Sequence, residues 1–318
     1  MPGDQDLWDA PSERQWLLLK HNQPRGTPLS VGEAMSKLMY DQTAREIPET
    51  SWKWSPFATA VAMYAVATQI WYISSAKNLG ILPGDHGNHT ILAGLGDIME
   101  TEAALNRCRD LLMSAKNANE VTWSDDDGPM LFNSMAVLRV AYSRACMLTA
   151  TLDRFILLRE TRGEIVDAIS KYLFIDQPRS ESITKAVARS VEGHFVPARV
   201  GVLLTLKTAA LTWWVDHAIA GWDTALFVTR WIHAIEQAEL AHDFVNDSER
   251  QTIKVVHRLM TEAQIRFTST ESLAAAVTRF WAPFFTDTWV WGVTPRIGFV
   301  LQELAKAYEE ASRLRVQI

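Results

Sequence analysis

His233, Glu236, Glu239 and His242 come nearest, by type and spacing, to a reactive set in this chain. Residues three apart share a helix face, and Glu-x-x-His is a spacing that di-metal carboxylate sites use. Nine residues at about 100° each turn His242 to the side opposite His233, so one helix cannot close all four groups on one ion. No second Glu-x-x-His supplies the other half of such a site. The set therefore reads as a solvated amphipathic face. Asp85 and His86 sit in GILPGDHGN and His89 follows it directly; the three match no zinc spacing, which needs three or four convergent donors. They read as a turn that opens a helix. Asp125, Asp126 and Asp127 precede Gly128 and Pro129. Negative charge before a helix suits the dipole there. A magnesium site of the diphosphate-cyclase kind would need carboxylates on one face, and three consecutive ones point apart. The chain is expected to hold no metal and no cofactor.

Asp216 and His217 are neighbours, about 100° apart on a helix, which argues against a base held by its orienting acid. His217 follows Trp213 by four residues and shares its face, as a packed core histidine would. Were the chain an enzyme, Asp216 and His217 are the candidates to move a proton. Trp213, Trp214, His217 and His233 are the candidates to line a ligand pocket between helices. The thirteen tryptophans motivate the pocket, although most indoles at helix contacts are core. There is no nucleophile elbow, Walker loop, dinucleotide fingerprint or His-Glu-x-x-His.

The elements that position these residues are helices. From His194 to Ile235 the chain is mostly apolar, with Val200, Leu203, Leu204, Leu211, Trp214, Val215 and Ile219 close to one broad face. Pro197 suits its start, Gly221 interrupts it, and Asp223 caps a second helix through Trp231. Before it, helices are expected after Ser12, after Ser30 with Glu33 in capping-box spacing, and from Ser55–Pro56 to about Leu79. Others run from about His89 to Lys116, from Pro129 to about Leu158, from Arg162 to Leu173, and through ITKAVARSVEGH. After it come a helix from Asp247 and the segment LAAAVTRFWAPFF. A last helix has Thr294 as cap, Pro295 as first residue and Glu303 paired with Lys306. No stretch alternates as a strand would. The fold class is all-α, a single large domain over 1–318 with about a dozen helices, its first 54 residues packing on the core.

Composition narrows the function. A net charge of −6 argues against a broad basic face for nucleic acid, so direct DNA binding is not expected. Cys108 and Cys146 lie in apolar helical surroundings and read as free buried thiols; two cysteines also exclude a Cys-rich zinc cluster. Met1 to Asp9 is acidic and polar, unlike a secretory leader. Lys53 to Lys77 encloses an uncharged stretch long enough to span a bilayer, but it is Ala-rich, holds Thr59, Thr68, Gln69, Ser74 and Ser75, and reads as a buried helix. No membrane association is expected.

Several segments, taken in order, resemble the regulatory (middle-homology) domain of fungal transcription factors, in the form found C-terminal to zinc fingers. They are DLWDAPSERQW, SPFATAVAMYAVATQIW, LRVAYSRACM, FVPARVGV with TWWVDHAI, TRWIHAIEQAE, and DTWVWGVTPRIGFVLQELAKAYEEASR. Together they span nearly the whole chain. The resemblance implies an all-α regulatory domain in a nuclear protein, often one tied to secondary-metabolite gene clusters. It carries over no catalytic residue. The chain departs from the pattern in holding no zinc module of its own.

Two readings follow. In the first, the chain is a transcriptional regulator or co-regulator that acts in the nucleus through a DNA-binding partner protein. In the second, the same scaffold is a cytoplasmic biosynthetic enzyme, a metal-independent cyclase or isomerase with a Trp-lined pocket for a small-molecule ligand.

Overall fold

The computed structural model describes residues 7, 9–22, 30–40, 56–78, 100–113, 128–146, 152, 154–195, 201–212, 214–265, 271–286 and 291–316. These form α-helices, two 3-10 turns and no strand, so the fold is all-α. The clusters Asp85–His86–His89 and Asp125–Asp127, together with Trp213, lie outside the described residues. The chain divides into two compact units, Met1–Ala141 and Tyr142–Ile318.

The first unit contains α1 (Glu13–Asn22), α2 (Val31–Tyr40), α3 (Pro56–Asn78), α4 (residues 100–113) and most of α5 (Gly128–Cys146). The expected caps are present. Gln15 N–H donates to Ser12 Oγ at 3.3 Å. Glu33 N–H donates to Ser30 Oγ at 3.2 Å while Ser30 N–H donates back to Glu33 Oε2 at 2.8 Å. Arg107 on α4 closes the other end of α2, donating to the carbonyls of Leu38 (2.8 Å) and Met39 (3.0 Å) that the helix leaves unpaired. Cys108 is fully buried, and burial pushes its thiol up to about 12, which makes it a packing group. Along α3 the buried residues are small, Ala58, Ala60 and Ala62, with Met63, Val66 and Ile70, while Phe57, Trp71 and Tyr72 are exposed. Among the described residues no helix is long and apolar enough to cross a membrane.

The second unit begins in the last turn of α5. A 3-10 turn (Arg154–Leu158) leads to α6 (Arg162–Leu173), α7 (Glu181–His194), α8 (Val202–Thr212), α9 (Val215–Leu240), α10 (Asp247–Glu262), α11 (Leu273–Trp281), a second 3-10 turn (Ala282–Phe285) and α12 (Thr294–Val316). The helix expected from Pro129 to Leu158 thus ends by Cys146, and its last residues form the tighter turn. Arg296 on α12 holds that turn by donating to the carbonyls of Leu157 (3.3 Å) and Arg159. α11 and α12 pack on each other, α9 lies against both, α7 packs on α9, α10 on α7, and α6 on α12.

Thr161 and Glu164 form a capping box on α6, and Asn246 and Glu249 form one on α10, which begins at Asp247 as its sequence predicts. Thr294 is already helical, and its hydroxyl donates to Trp291 O (2.8 Å). Glu303 accepts from Lys306 at 2.7 Å, as its spacing predicts.

The organising helix is α9. Every residue from Ala220 to His233 is buried, which is what a helix surrounded by others requires. Its course corrects the reading of Gly221 as a break and Asp223 as a cap. Trp214 is the N-cap instead, and α9 runs from Val215 through Gly221 without interruption. The glycine is needed for close packing: a Cβ there would stand 2.9 Å from Phe285 Cζ and 3.3 Å from Trp281 Cζ3. Asp223 is buried in mid-helix and takes an ion pair from Arg144, 3.1 Å away on α5.

Candidate functional site

Between α6, α9 and α12 lies a set of buried polar side chains. Arg230 is the only charged residue between Asp223 and Glu236, and it is buried to 5% exposure. Its guanidinium lies 4.7 Å over the Tyr172 ring, a cation–π contact, and its Nη2 donates to Leu173 O at 3.3 Å. Tyr172 donates its own hydroxyl to Leu226 O at 3.5 Å. One turn along α9 the Thr229 hydroxyl donates to Ala225 O (2.7 Å) and stands 3.4 Å from the Tyr308 hydroxyl. His233 packs its ring 4.8 Å from that of Tyr308. Burial pushes Tyr308 up to about 12 and Tyr172 well above the usual phenol range, so both stay neutral in the cell and neither serves as an anion for Arg230.

Glu236 is committed elsewhere. It accepts from the Ser272 hydroxyl (2.9 Å) and from Leu273 N–H, at the N-terminus of α11. The positive end of that helix dipole favours a carboxylate at this point. His233 Nδ1 lies 3.9 Å from Glu236 Oε2, too far for a hydrogen bond. His233 and Glu236 are therefore parts of a packed interior, not the solvated face read from their spacing. The reason is tertiary, since α11 and α12 arrive from more than thirty residues away to cover them. His242 lies beyond the end of α9 with φ of 57°. Its N–H donates to Glu239 O (3.2 Å), and Asp243 N–H donates to Ala238 O (2.8 Å), which closes the helix in a Schellman motif. Among the described residues no three His, Cys, Asp or Glu are grouped to hold a metal ion.

Four polar positions on this stretch of α9 have no hydrogen-bond partner among the described residues: Arg230 Nη1, His233 Nδ1, and both amide atoms of Gln237. Residues 230, 233 and 237 follow helical spacing and share one face. The arrangement offers one buried positive charge, with further hydrogen-bonding groups one and two turns on. Its hydroxyls are held neutral and its one carboxylate is occupied.

The residues singled out from the sequence do not meet here as a group. His217 is buried and Asp216 half-buried in the first turn of α9, and His217 N–H donates to Trp214 O at 2.9 Å. His233 is sixteen residues further on, about 24 Å along a straight helix, so the two histidines do not line one small pocket. Trp214 is partly exposed at the α9 N-cap. Trp222 and Trp231 are core, as is Trp281. Sequence reasoning passed over Arg230, Tyr172, Gln237 and Tyr308. A lone cation in the apolar run TALFVTRWIHAI was the one available signal.

Other buried charges in this unit are fully paired. Glu249, 1% exposed, takes a two-pronged contact from Arg179 (3.0 and 2.8 Å), and Arg179 also donates to Phe244 O. Glu303 accepts from Arg162 and Lys306. These pairs fasten α10 and α12 to the connector after α6 and to its first turn.

No curated protein and no solved structure matches the chain. A family match covers residues 153–303, which is most of the second unit, including α9 and its polar face. Residues 153–303 match the fungal transcription factor C-terminal domain, the family that the ordered resemblances pointed to.

Proposed function

We propose that this chain is a nuclear transcriptional regulator whose DNA contact is supplied from outside these 318 residues, by a DNA-binding partner protein, and that it controls a secondary-metabolite gene cluster. The observation that carries the reading is the match of residues 153–303 to a fungal transcription factor domain. Two further features support it. The net charge of −6 gives DNA no broad basic face to neutralise its phosphates. Two cysteines are too few for a Cys-rich zinc module.

The test has two arms. Fluorescence anisotropy of the purified chain with labelled cluster promoters should show no salt-sensitive, sequence-specific complex. A tight one formed by this chain alone would overturn the partner requirement. Chromatin immunoprecipitation of the tagged chain should enrich promoters of one cluster, and deletion of the gene should lower their transcripts. Unchanged transcripts across every cluster would refute the regulatory assignment.

A further inference from the structure

We infer that the face of α9 formed by Arg230, His233 and Gln237 binds a small monocarboxylic acid, with the carboxylate on Arg230 and a neutral polar group of the ligand on the Gln237 amide. This does not rest on the regulatory reading, because it concerns a site that can be filled with no DNA present. The starting point is an imbalance. A guanidinium removed from water is costly unless an anion or a full set of acceptors replaces its hydration. Arg230 is 5% exposed and has the Tyr172 ring and one carbonyl, while its Nη1 has no partner among the described residues. The buried carboxylates described in this unit each have a cation in contact: Asp223 has Arg144, Glu249 has Arg179, Glu303 has Arg162 and Lys306, and Glu309 has Arg279.

The form of the ligand follows from the charges. One unpaired cation calls for one negative charge; a dianion such as phosphate would leave a surplus charge in the interior. A carboxylate can bind a guanidinium nitrogen through one oxygen and leave the other to a neighbouring donor. Polarity along the helix sets the direction. Glu236, six residues beyond Arg230 and 3.9 Å from His233, repels an anion at that end. The carboxylate therefore faces Arg230. The uncharged end of the ligand reaches Gln237, whose amide offers both a donor and an acceptor without a protein partner. The rings of Tyr172 and Tyr308, which lie against Arg230 and His233, make the surroundings aromatic.

Thermal unfolding of the whole chain with mandelate tests this, because mandelate carries a carboxylate and a hydroxyl on an aromatic body. Mandelamide, which keeps everything but the charge, is the control, and inorganic phosphate is the competing anion. Mandelate should raise Tm with dose by a few degrees, and mandelamide and phosphate should not. In Arg230→Met the mandelate shift should vanish or need at least about tenfold more ligand. If Arg230→Met does not fold, Gln237→Met, which removes only neutral groups, carries the test and should weaken the response. No shift with mandelate overturns the proposal. So does an equal shift with mandelamide or phosphate, or an undiminished one in the variant that folds.

Discussion

The two halves of α9 treat buried charge differently. In its N-terminal half Asp223 is buried and paired with Arg144, and Gly221 lets Phe285 and Trp281 close down on the backbone. In its C-terminal half Arg230 is equally buried, yet no carboxylate among the described residues pairs with it, and His233 and Gln237 beside it keep polar atoms without partners. A paired buried charge fastens one helix to another. A buried charge left with an aromatic face and a single carbonyl adds little to the fold, and its use lies in what it can bind. The same helix therefore serves as a structural spine at one end and as a binding face at the other.

The comparison is broken most directly in the N-terminal half. Arg144→Met leaves Asp223 buried without its cation and should cost about 2–4 kcal/mol in urea unfolding, somewhat below a fully buried pair because Arg144 keeps some exposure. A cost near zero would mean that Asp223 finds water or another donor. Gly221→Val should cost about 2–3 kcal/mol, since a Cβ there already stands 2.9 Å from Phe285. A neutral outcome would show that α9 and the 3-10 turn after α11 can part without penalty.

The pairing of Glu303 sharpens the contrast through pH. Burial raises this carboxyl, but donation by Lys306 and Arg162 outweighs burial and holds it below its ordinary value of 4.5. A depressed carboxyl contributes stability that is present above pH 4.5 and is lost as pH falls through its lowered value. Glu303→Gln should therefore be less stable than the unchanged chain at pH 7, and the gap should narrow in acid. A gap that stays constant down to acid pH would assign the loss to packing. The smallest effect is expected at the end of α9, where His242 occupies the left-handed region at φ of 57°. His242→Gly should gain about 0.5–1 kcal/mol, because glycine adopts this conformation without strain. A loss there would show that the imidazole makes a contact worth more than the relief.

Much of this fold was legible in the sequence because its signals are local. The Ser30–Glu33 box, the Arg162–Leu173 helix and the Glu303–Lys306 pair each depend on residues within one or two turns, and each formed as read. What failed was decided at long range. Gly221 looked like a break because glycine is a poor helix former, but its role is set by Phe285, sixty-four residues away by number. His233 and Glu236 looked solvated because their polarity is local, whereas their burial comes from α11 and α12. The binding face was missed for the same reason. Arg230 stood out only as a lone charge in an apolar run, and nothing in the chain order said that Tyr172 and Tyr308 would flank it.

Helix α9 carries one buried charge that fastens, Asp223, and one that does not, Arg230. Urea unfolding of Arg144→Met and Arg230→Met, side by side at pH 7, tests it most directly. The midpoint should fall for Arg144→Met and stay unchanged or rise for Arg230→Met, since removing an unpaired buried cation relieves its desolvation. If Arg230→Met falls as far as Arg144→Met, Arg230 is a structural fastener too, and the distinction between the two halves of the helix is wrong.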